Sequence, residues 1–131
     1  MTFLELCRRY AAEVHDLGGP PKTLTDGSPR TQAAADAIRE SWEKIQLLRN
    51  DWEWLRGEIQ TPTQTMTAEA DTPHIEPQYH MAIVWYAVAQ SGYRQAATEL
   101  IAIGEREWNV YYGLLVKRYV PQLSFVSWRA W

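Results

Sequence analysis

The chain has 131 residues, and its 13 Lys plus Arg against 16 Asp plus Glu give a formal net charge of −3. This length predicts one domain that buries about two thirds of the surface of its unfolded chain. A hydrophobic content of 46% argues against wholesale disorder. The single cysteine, Cys7, excludes an internal disulfide framework. The weak negative charge argues against a dedicated nucleic-acid-binding protein, which usually carries a basic patch.

Two further features concern the membrane and the aromatic content. No apolar run approaches the ~20 residues that a membrane-spanning helix needs, so no membrane partner is expected. The opening MTFLELCRRY lacks the basic and then apolar pattern of an export signal. Seven Trp and seven Tyr are more large aromatic side chains than the core of so short a chain requires.

The first predicted helix begins after Thr2, which is the N-cap, and Glu5 completes a capping box. Gly18 and Gly19 followed by two prolines end this helix. Its apolar residues recur at steps of three and four and predict one buried stripe. They are Phe3, Leu6, Cys7, Tyr10, Ala11 and Val14.

A second helix is predicted from about Thr31 to about Leu55, after a polar loop over residues 22–30. Its early part is rich in alanine, the residue with the highest helix propensity. Its predicted buried stripe consists of Ile38, Trp42, Ile45, Leu48 and Trp52.

Residues 57–77 differ in composition, with three Pro, five Thr, four carboxylates and no Lys or Arg. Weak alternation from Glu58 to Met66 predicts a short strand or an extended arm, and Pro62 would confine a strand to a sheet edge. Such a segment in a small domain is either a functional projection or mobile.

Two more helices are predicted after this segment. Pro77 is the expected first residue of the third helix, whose buried face is Met81, Val84, Trp85, Val88 and Ala89. Ser91-Gly92 is read as a break, and a fourth helix follows from about Arg94 to Tyr119, ended by Pro121. Its broad stripe consists of Leu100, Ile101, Gly104, Trp108, Tyr111, Tyr112, Leu115 and Tyr119. The prediction is an all-α, four-helix bundle-like domain over residues 1–120, with an extended tail over 121–131.

The residues offer little catalytic chemistry. A metal site could be imagined from His74, Glu76 and His80, but the spacing matches no zinc-binding helix pattern. His15 is expected to complement the negative end of the first helix. Cys7 lies on an apolar stripe, which is typical of a core residue rather than a nucleophile. Phosphate-binding loops and serine-nucleophile elbows are absent from the sequence. We expect no enzyme activity, no metal and no cofactor.

The C-terminal end has the composition of a protein interface. From Trp108 to Trp131 there are three basic residues and no acidic one, and interfaces are enriched in aromatic residues and arginine. The candidate docking residues are Phe125, Val126, Trp128, Arg129 and Trp131. The alternative is that the tail folds back to cover a hydrophobic groove of its own bundle.

Two sequence blocks resemble the head-to-tail adaptor family of tailed bacteriophages, also called neck, connector or head completion proteins. The first runs from FLELCRRYAAEV through a Gly/Pro turn to AIRESWEKIQLLRNDWEWLR, and contains the W-x-x-I-Q core of such proteins. The second is EPQYHMAIVWYAVAQSGYRQAATELIAIGEREWNVYYGLLVKRYVPQL, which is similar to the closing helical hairpin of the family. The blocks cover residues 3–56 and 76–123.

The resemblance implies a structural virion protein that forms a ring under the portal protein, usually of twelve copies. Such a ring extends the DNA channel without binding DNA specifically and contacts a tail or stopper protein. The protein would lie in the virion neck, and in the host cytoplasm during assembly. The candidate docking residues of the tail would then contact the portal.

One departure from the family is the short segment 57–75, which stands where family members carry a longer, β-rich insertion. Pairing between neighbouring subunits of the ring is still expected here, but more weakly. The candidate arm residues are Glu58, Ile59, Thr61, Thr63 and Thr65. The alternative function is a small cytoplasmic helical scaffold or regulatory protein that acts as a dimer. A DNA-packaging subunit with salt-sensitive DNA affinity is a third hypothesis.

Overall fold

The computed structural model describes residues 1–14, 19–55, 63–95 and 97–121. These residues form an all-α fold without β-strands. The four helices are α1 (Phe3–Glu13), α2 (Pro29–Leu47), α3 (Met81–Gln95) and α4 (Thr98–Tyr119), and single 3-10 turns occupy Glu53–Leu55 and Pro77–Tyr79. The prediction of an all-α protein is confirmed.

Helix α3 is the centre of the packing, because it contacts α1, α2 and α4. Its most extensive contact is with α4, and two glycines allow these helices to approach closely. A Cβ on Gly104 would lie 2.5 Å from the backbone nitrogen of Ala89, and one on Gly92 would lie 2.7 Å from that of Ile101. Contacts this short leave no room for any side chain larger than hydrogen.

Thr2 caps the N-terminus of α1, as predicted. The backbone N–H of Glu5 donates to Thr2 Oγ1 over 3.2 Å, and the Thr2 hydroxyl lies 3.3 Å from the Glu5 carboxylate. The predicted stripe is buried from Phe3 to Ala11, and Val14 is half-buried.

Helix α2 starts at Pro29, two residues before the predicted start, because proline suits the first turn of a helix. The prediction that it continues to Leu55 is wrong, since the helix ends at Leu47. A bidentate ion pair of Arg49 with Asp51, at 2.8 and 2.9 Å, closes a turn after the helix. Leu48, predicted in the buried stripe, is 47% exposed as a result.

Trp52 replaces the missing last turns of α2. Its indole Nε1–H donates to the carbonyl of Ile45 over 3.1 Å, and the side chain is fully buried. The same carbonyl also accepts the backbone N–H of Leu48 over 3.2 Å, so the indole is a second donor that caps the end of the helix. Trp52 is therefore buried as predicted, but from outside the helix.

The boundary between the third and fourth helices also differs from the prediction. Ser91-Gly92 is not a break, because α3 continues to Gln95, and α4 begins at Thr98 rather than Arg94. The glycine is explained by the close passage of Ile101. Pro77 begins a 3-10 turn, and α3 itself begins at Met81.

The described part of the predicted arm, residues 63–76, packs on the helices. Met66 is fully buried, and Ile75 is 6% exposed. Gln64 anchors the segment: its backbone N–H donates to Gln46 Oε1 over 2.8 Å, and Gln46 Nε2 donates back to the Gln64 carbonyl over 2.9 Å. This reciprocal pair ties residues 63–76 to α2. This described part of the segment therefore lies against the helices.

Candidate functional site

Eight aromatic side chains form a continuous series of ring contacts, which we call the aromatic ladder. It begins at Tyr86, which meets Trp108 edge-on at 4.9 Å between ring centroids, and passes to the stacked pair Trp52–Trp54 at 4.7 Å. Aromatic pairs in such geometries contribute about 0.5–1.5 kcal/mol beyond their buried area. The ladder consists of Tyr86, Trp108, Tyr112, Trp52, Trp54, Trp42, Tyr119 and Tyr79.

The ladder joins α4 to elements that are far away in sequence. Tyr112 of α4 meets Trp52 edge-on at 6.3 Å, and Tyr119 meets Trp54 at 5.1 Å. These contacts hold one side of α4 over the segment that follows α2. Much of the unusual aromatic content is thus used inside the domain.

A polar cluster fixes the C-terminal end of α4. Arg118 forms an ion pair with Glu76, with its NH2 group 2.6 Å from the carboxylate, and its guanidinium lies 5.0 Å from the centre of the Tyr119 ring. The Tyr119 hydroxyl accepts the backbone N–H of Glu76 over 2.7 Å. Because Val120 and Pro121 follow directly, the tail leaves from a well-fixed point.

The opposite side of α4 is not covered by any described residue. Only Gly104, Leu115 and Tyr119 are buried among the 22 residues of the helix. Exposed positions recur at steps of three and four and so share one side of the helix. We call this side the outer stripe; it consists of Glu99, Ile103, Arg106, Val110, Leu114 and Lys117.

Three of the four residues between the ends of the outer stripe are apolar, and the fourth is Arg106. Val110 is 57% exposed, Leu114 43% and Ile103 38%. Single exposed apolar side chains are ordinary, but contiguous apolar surface on a soluble domain indicates a binding surface. The outer stripe is therefore the candidate functional site of this chain.

A cavity of about 500 Å³ lies between α1, α2 and the segment that follows residue 66. Its charged lining residues are already bonded within the chain. Arg39 Nε donates to the Met66 carbonyl over 2.9 Å, and Glu69 accepts from the Thr23 hydroxyl and the Leu24 N–H, each over 2.6 Å. The Thr23 hydrogen bond holds the pKa of Glu69 below its usual range. This lining brings no nucleophile beside a general base.

Burial shifts the pKa values of Cys7 and His80 in the core. Burial raises the pKa of the Cys7 thiol to about 12, so it is not a thiolate at neutral pH. Burial also lowers the pKa of His80, whose Nε2 lies 2.8 Å from the Ile75 carbonyl and whose Nδ1 lies 2.6 Å from the amino group of Met1. With a donor at Nδ1 and a carbonyl acceptor at Nε2, this environment favours the neutral ring that carries its proton on Nε2.

The imagined site of His74, Glu76 and His80 does not bring three ligands together. Both ring nitrogens of His80 have partners, and Glu76 pairs with Arg118. Across the described ranges, no group of three or more His, Cys, Asp or Glu side chains could hold a metal ion.

The predicted site residues fall into two groups. Thr63 and Thr65 lie in the packed segment, where Thr65 is exposed and Thr63 half-exposed, and neither belongs to a strand. The other arm residues, Glu58, Ile59 and Thr61, lie outside the described residues. So do His15 and the tail residues Phe125, Val126, Trp128, Arg129 and Trp131.

The stripe predicted for the fourth helix lies on the opposite side of α4, so the outer stripe was not predicted from the sequence. Ile103, Val110 and Leu114 also repeat at helical spacing. A helix with apolar residues on two sides has more apolar surface than one neighbour can cover. The apolar residues on a second side of the fourth helix were therefore the sequence signal for an exposed apolar surface.

Comparison with protein-family models, with curated proteins and with solved structures gave no match for this chain. Its relation to the head-to-tail adaptors stays a prediction from the residues. Within the described ranges, none of the helices combines the length and hydrophobicity needed to cross a bilayer.

Proposed function

We propose that this protein is a structural, non-enzymatic head-to-tail adaptor of a tailed bacteriophage. Copies would form a ring beneath the portal in the virion neck, extend the DNA channel and link the capsid to a tail or stopper protein. The observation that carries the proposal is the packing of α4, in which only three of 22 residues are buried. A helix packed on one side only is suited to contacts with other protein subunits.

The sequence resemblance supports the same function. Its first block contains α1 and α2, and its second contains α3 and α4, so the two blocks supply all four helices of the described domain. The aromatic ladder and the anchored segment 63–76 give this domain a well-packed body, which a ring that links the capsid to the tail requires. The inert Cys7 and the fully bonded His80 favour a role without catalysis.

In this proposal the tail docks onto the portal. Arg118 and Glu76 fix the point from which the chain leaves α4. Beyond it, Trp128 and Trp131 supply the large aromatic anchors that dominate binding energy at protein interfaces, and Arg129 supplies an interface cation.

The ring would let DNA pass without holding it. Two arginines that could bind phosphate are engaged elsewhere, Arg49 with Asp51 and Arg118 with Glu76. Because phosphate contacts dominate the affinity of proteins for DNA, we expect a titration with duplex DNA at low salt to be flat. A salt-sensitive affinity would favour the DNA-packaging hypothesis instead.

A truncation after Gln122 tests the tail. The full chain and the truncated chain are each mixed with portal rings of the same phage and sedimented. We expect the full chain to sediment with the portal and the truncated chain to stay in the supernatant. Trp128→Ala should weaken binding by at least tenfold, whereas its neighbour Ser127→Ala should have little effect. Equal binding of the truncated chain would overturn portal docking by the tail.

The second candidate is a small helical scaffold or regulator that acts as a dimer. The apolar middle of the outer stripe favours it, because a second copy could cover that surface. Dimers that form without portal and do not bind portal rings would support this function over the adaptor.

A further inference from the structure

The outer stripe of α4 has opposite charges at its two ends. Glu99 lies in the first turn, and Lys117 lies in the last turn. Neither side chain forms an ion pair within the described part of the chain. Arg106, near the middle, is neutralised by Glu107 of the same helix, at 3.6 Å. The stripe therefore has a negative charge at one end, Glu99, and a positive charge at the other, Lys117, both unpaired among the described residues, with mostly apolar side chains between them.

Gly113 lies beside the apolar middle of the stripe, and no described residue packs against it. A Cβ on Gly113 would meet nothing within 4 Å, in contrast to Gly92 and Gly104. Glycine inside a helix is destabilising relative to alanine. A glycine at position 113, on the exposed side of α4, is explained if the backbone of another helix packs closely against it.

These features are complementary to themselves when two helices run in opposite directions. In an antiparallel pair centred at position 108, each residue faces the one equally far from 108 on the other helix. Glu99 then faces Lys117 of the second copy, and Ile103 faces Gly113. The exposed side chain of Leu114 likewise faces Ala102, and at the centre Val110 faces Arg106, whose partner in its own helix is Glu107.

We infer that the outer stripe binds a second copy of this chain, as an antiparallel α4–α4 pair around a twofold axis. The same surface serves both copies, which is the usual arrangement in homodimers. The inference rests on the stripe and is independent of portal binding. It describes the free protein, whichever of the proposed functions is correct.

The size of the surface indicates a weak, reversible dimer. Helix α4 is about 33 Å long, so the pair buries less area than the ~800 Å² per partner of a standard stable interface. We expect a dissociation constant in the micromolar range or weaker, so that monomer and dimer exchange within the concentrations of an ordinary experiment.

Charge reversal tests the pairing, with sedimentation velocity of the full chain alone from about 1 µM to about 1 mM. Lys117→Glu and Glu99→Lys each place like charges together at both ends of the pair. Each should weaken the dimer by about tenfold. The double variant Glu99→Lys/Lys117→Glu restores opposite charges and should return the dissociation constant to within about threefold of the original.

Lys22→Glu is the matched control, because this exposed residue lies in the loop before α2 and undergoes the same change of charge. It should leave the dimer unchanged. A chain that stays monomeric while folded, as judged by circular dichroism, would overturn the inference. The inference would also be overturned if the double variant kept the weak dissociation constant of the single variants. The same holds if the dimer of the control Lys22→Glu were as weak as that of Lys117→Glu.

Spin labels report the direction of the helices independently. With Lys117→Cys labelled, the two positions lie about 27 Å apart along the axis in the antiparallel pair, since each faces residue 99. A parallel pair would bring the labels to about 10 Å, the usual separation of helix axes. The native Cys7 is buried and leaves the labelling site-specific. The short distance would contradict the inference.

Discussion

The backbone of Gly104 in α4 lies against Ala89 of α3, so closely that a Cβ at position 104 would be 2.5 Å from the Ala89 nitrogen and 2.8 Å from its Cα. Backbone atoms on both sides cannot move aside as a side chain could. This contact fixes the distance between the two helices.

Gly104→Ala should therefore destabilise the protein, by about 1–3 kcal/mol as in other overpacked cores. Gly113→Ala is the matched control in the same helix, because its Cβ would point into open space. It should stabilise the monomer by about 0.5–1 kcal/mol through helix propensity. Urea unfolding at low protein concentration measures both changes, and equal effects of the two substitutions would contradict the packing.

Gln64→Ala should loosen the segment 63–76, although the two backbone bonds of residue 64 to Gln46 stay in place. The side chain of Gln64 accepts from Trp42 Nε1 and the His74 N–H, each over 3.0 Å, and donates to the Thr72 carbonyl over 2.8 Å. Only the bond from the Trp42 indole is partly buried, and the other two partners are exposed to water, so we expect a cost of about 1–2 kcal/mol. Gln78→Ala, at an exposed glutamine, should cost less than 0.5 kcal/mol by the usual behaviour of surface sites. Similar unfolding midpoints for the two variants would argue against an anchor at position 64.

Trp52→Phe keeps an aromatic ring in the ladder but removes the indole N–H that caps α2. The carbonyl of Ile45 then loses its side-chain donor, and the smaller ring loses part of its stacking on Trp54. We expect a loss of about 1–3 kcal/mol. Faster hydrogen exchange in the last turn of α2 would be the specific sign of the lost cap, and unchanged exchange there would contradict the capping role.

His80 should make stability depend on pH. Burial lowers its pKa in the folded state below the ordinary value of 6.5, so the unfolded chain binds the proton more readily. The free energy of unfolding should then be highest above pH 6.5 and fall as the pH drops below it toward the lowered pKa. Protonation of Nδ1 would also place an N–H donor against the Met1 amino group, which is itself a donor.

His80→Gln is the variant that isolates this dependence. Urea unfolding between pH 7 and pH 5 should show a smaller loss of stability in the variant than in the original chain, because the variant has no titrating group at this position. Parallel pH profiles of the two proteins would show that His80 is not responsible.

The sequence was sufficient for the helices whose signals are local. The Thr2–Glu5 capping box marked the start of α1, and the apolar stripe around Trp42 marked the buried side of α2. The end of α2 could not be found in this way. It depends on Trp52 turning back onto Ile45, which is a tertiary contact with no periodic signature.

Tertiary contacts also explain the other errors. The dipeptide Ser91-Gly92 is typical of a helix break, but here the close passage of Ile101 requires a glycine at position 92 inside α3. Gln64 is an unremarkable polar residue in sequence, and only the position of Gln46 makes it an anchor. The outer stripe of α4 was readable in principle, because Ile103, Val110 and Leu114 repeat at helical spacing. Its exposure follows from which side α3 occupies, and the sequence alone does not specify that choice.

Electron microscopy of this protein mixed with the purified portal ring of the same phage is the sharpest test of the adaptor function. An adaptor should add a ring of density below the portal, with the rotational symmetry of the portal and the tail in contact with it. Portal rings without added density, in the presence of folded protein, would contradict the adaptor function and favour the dimeric scaffold.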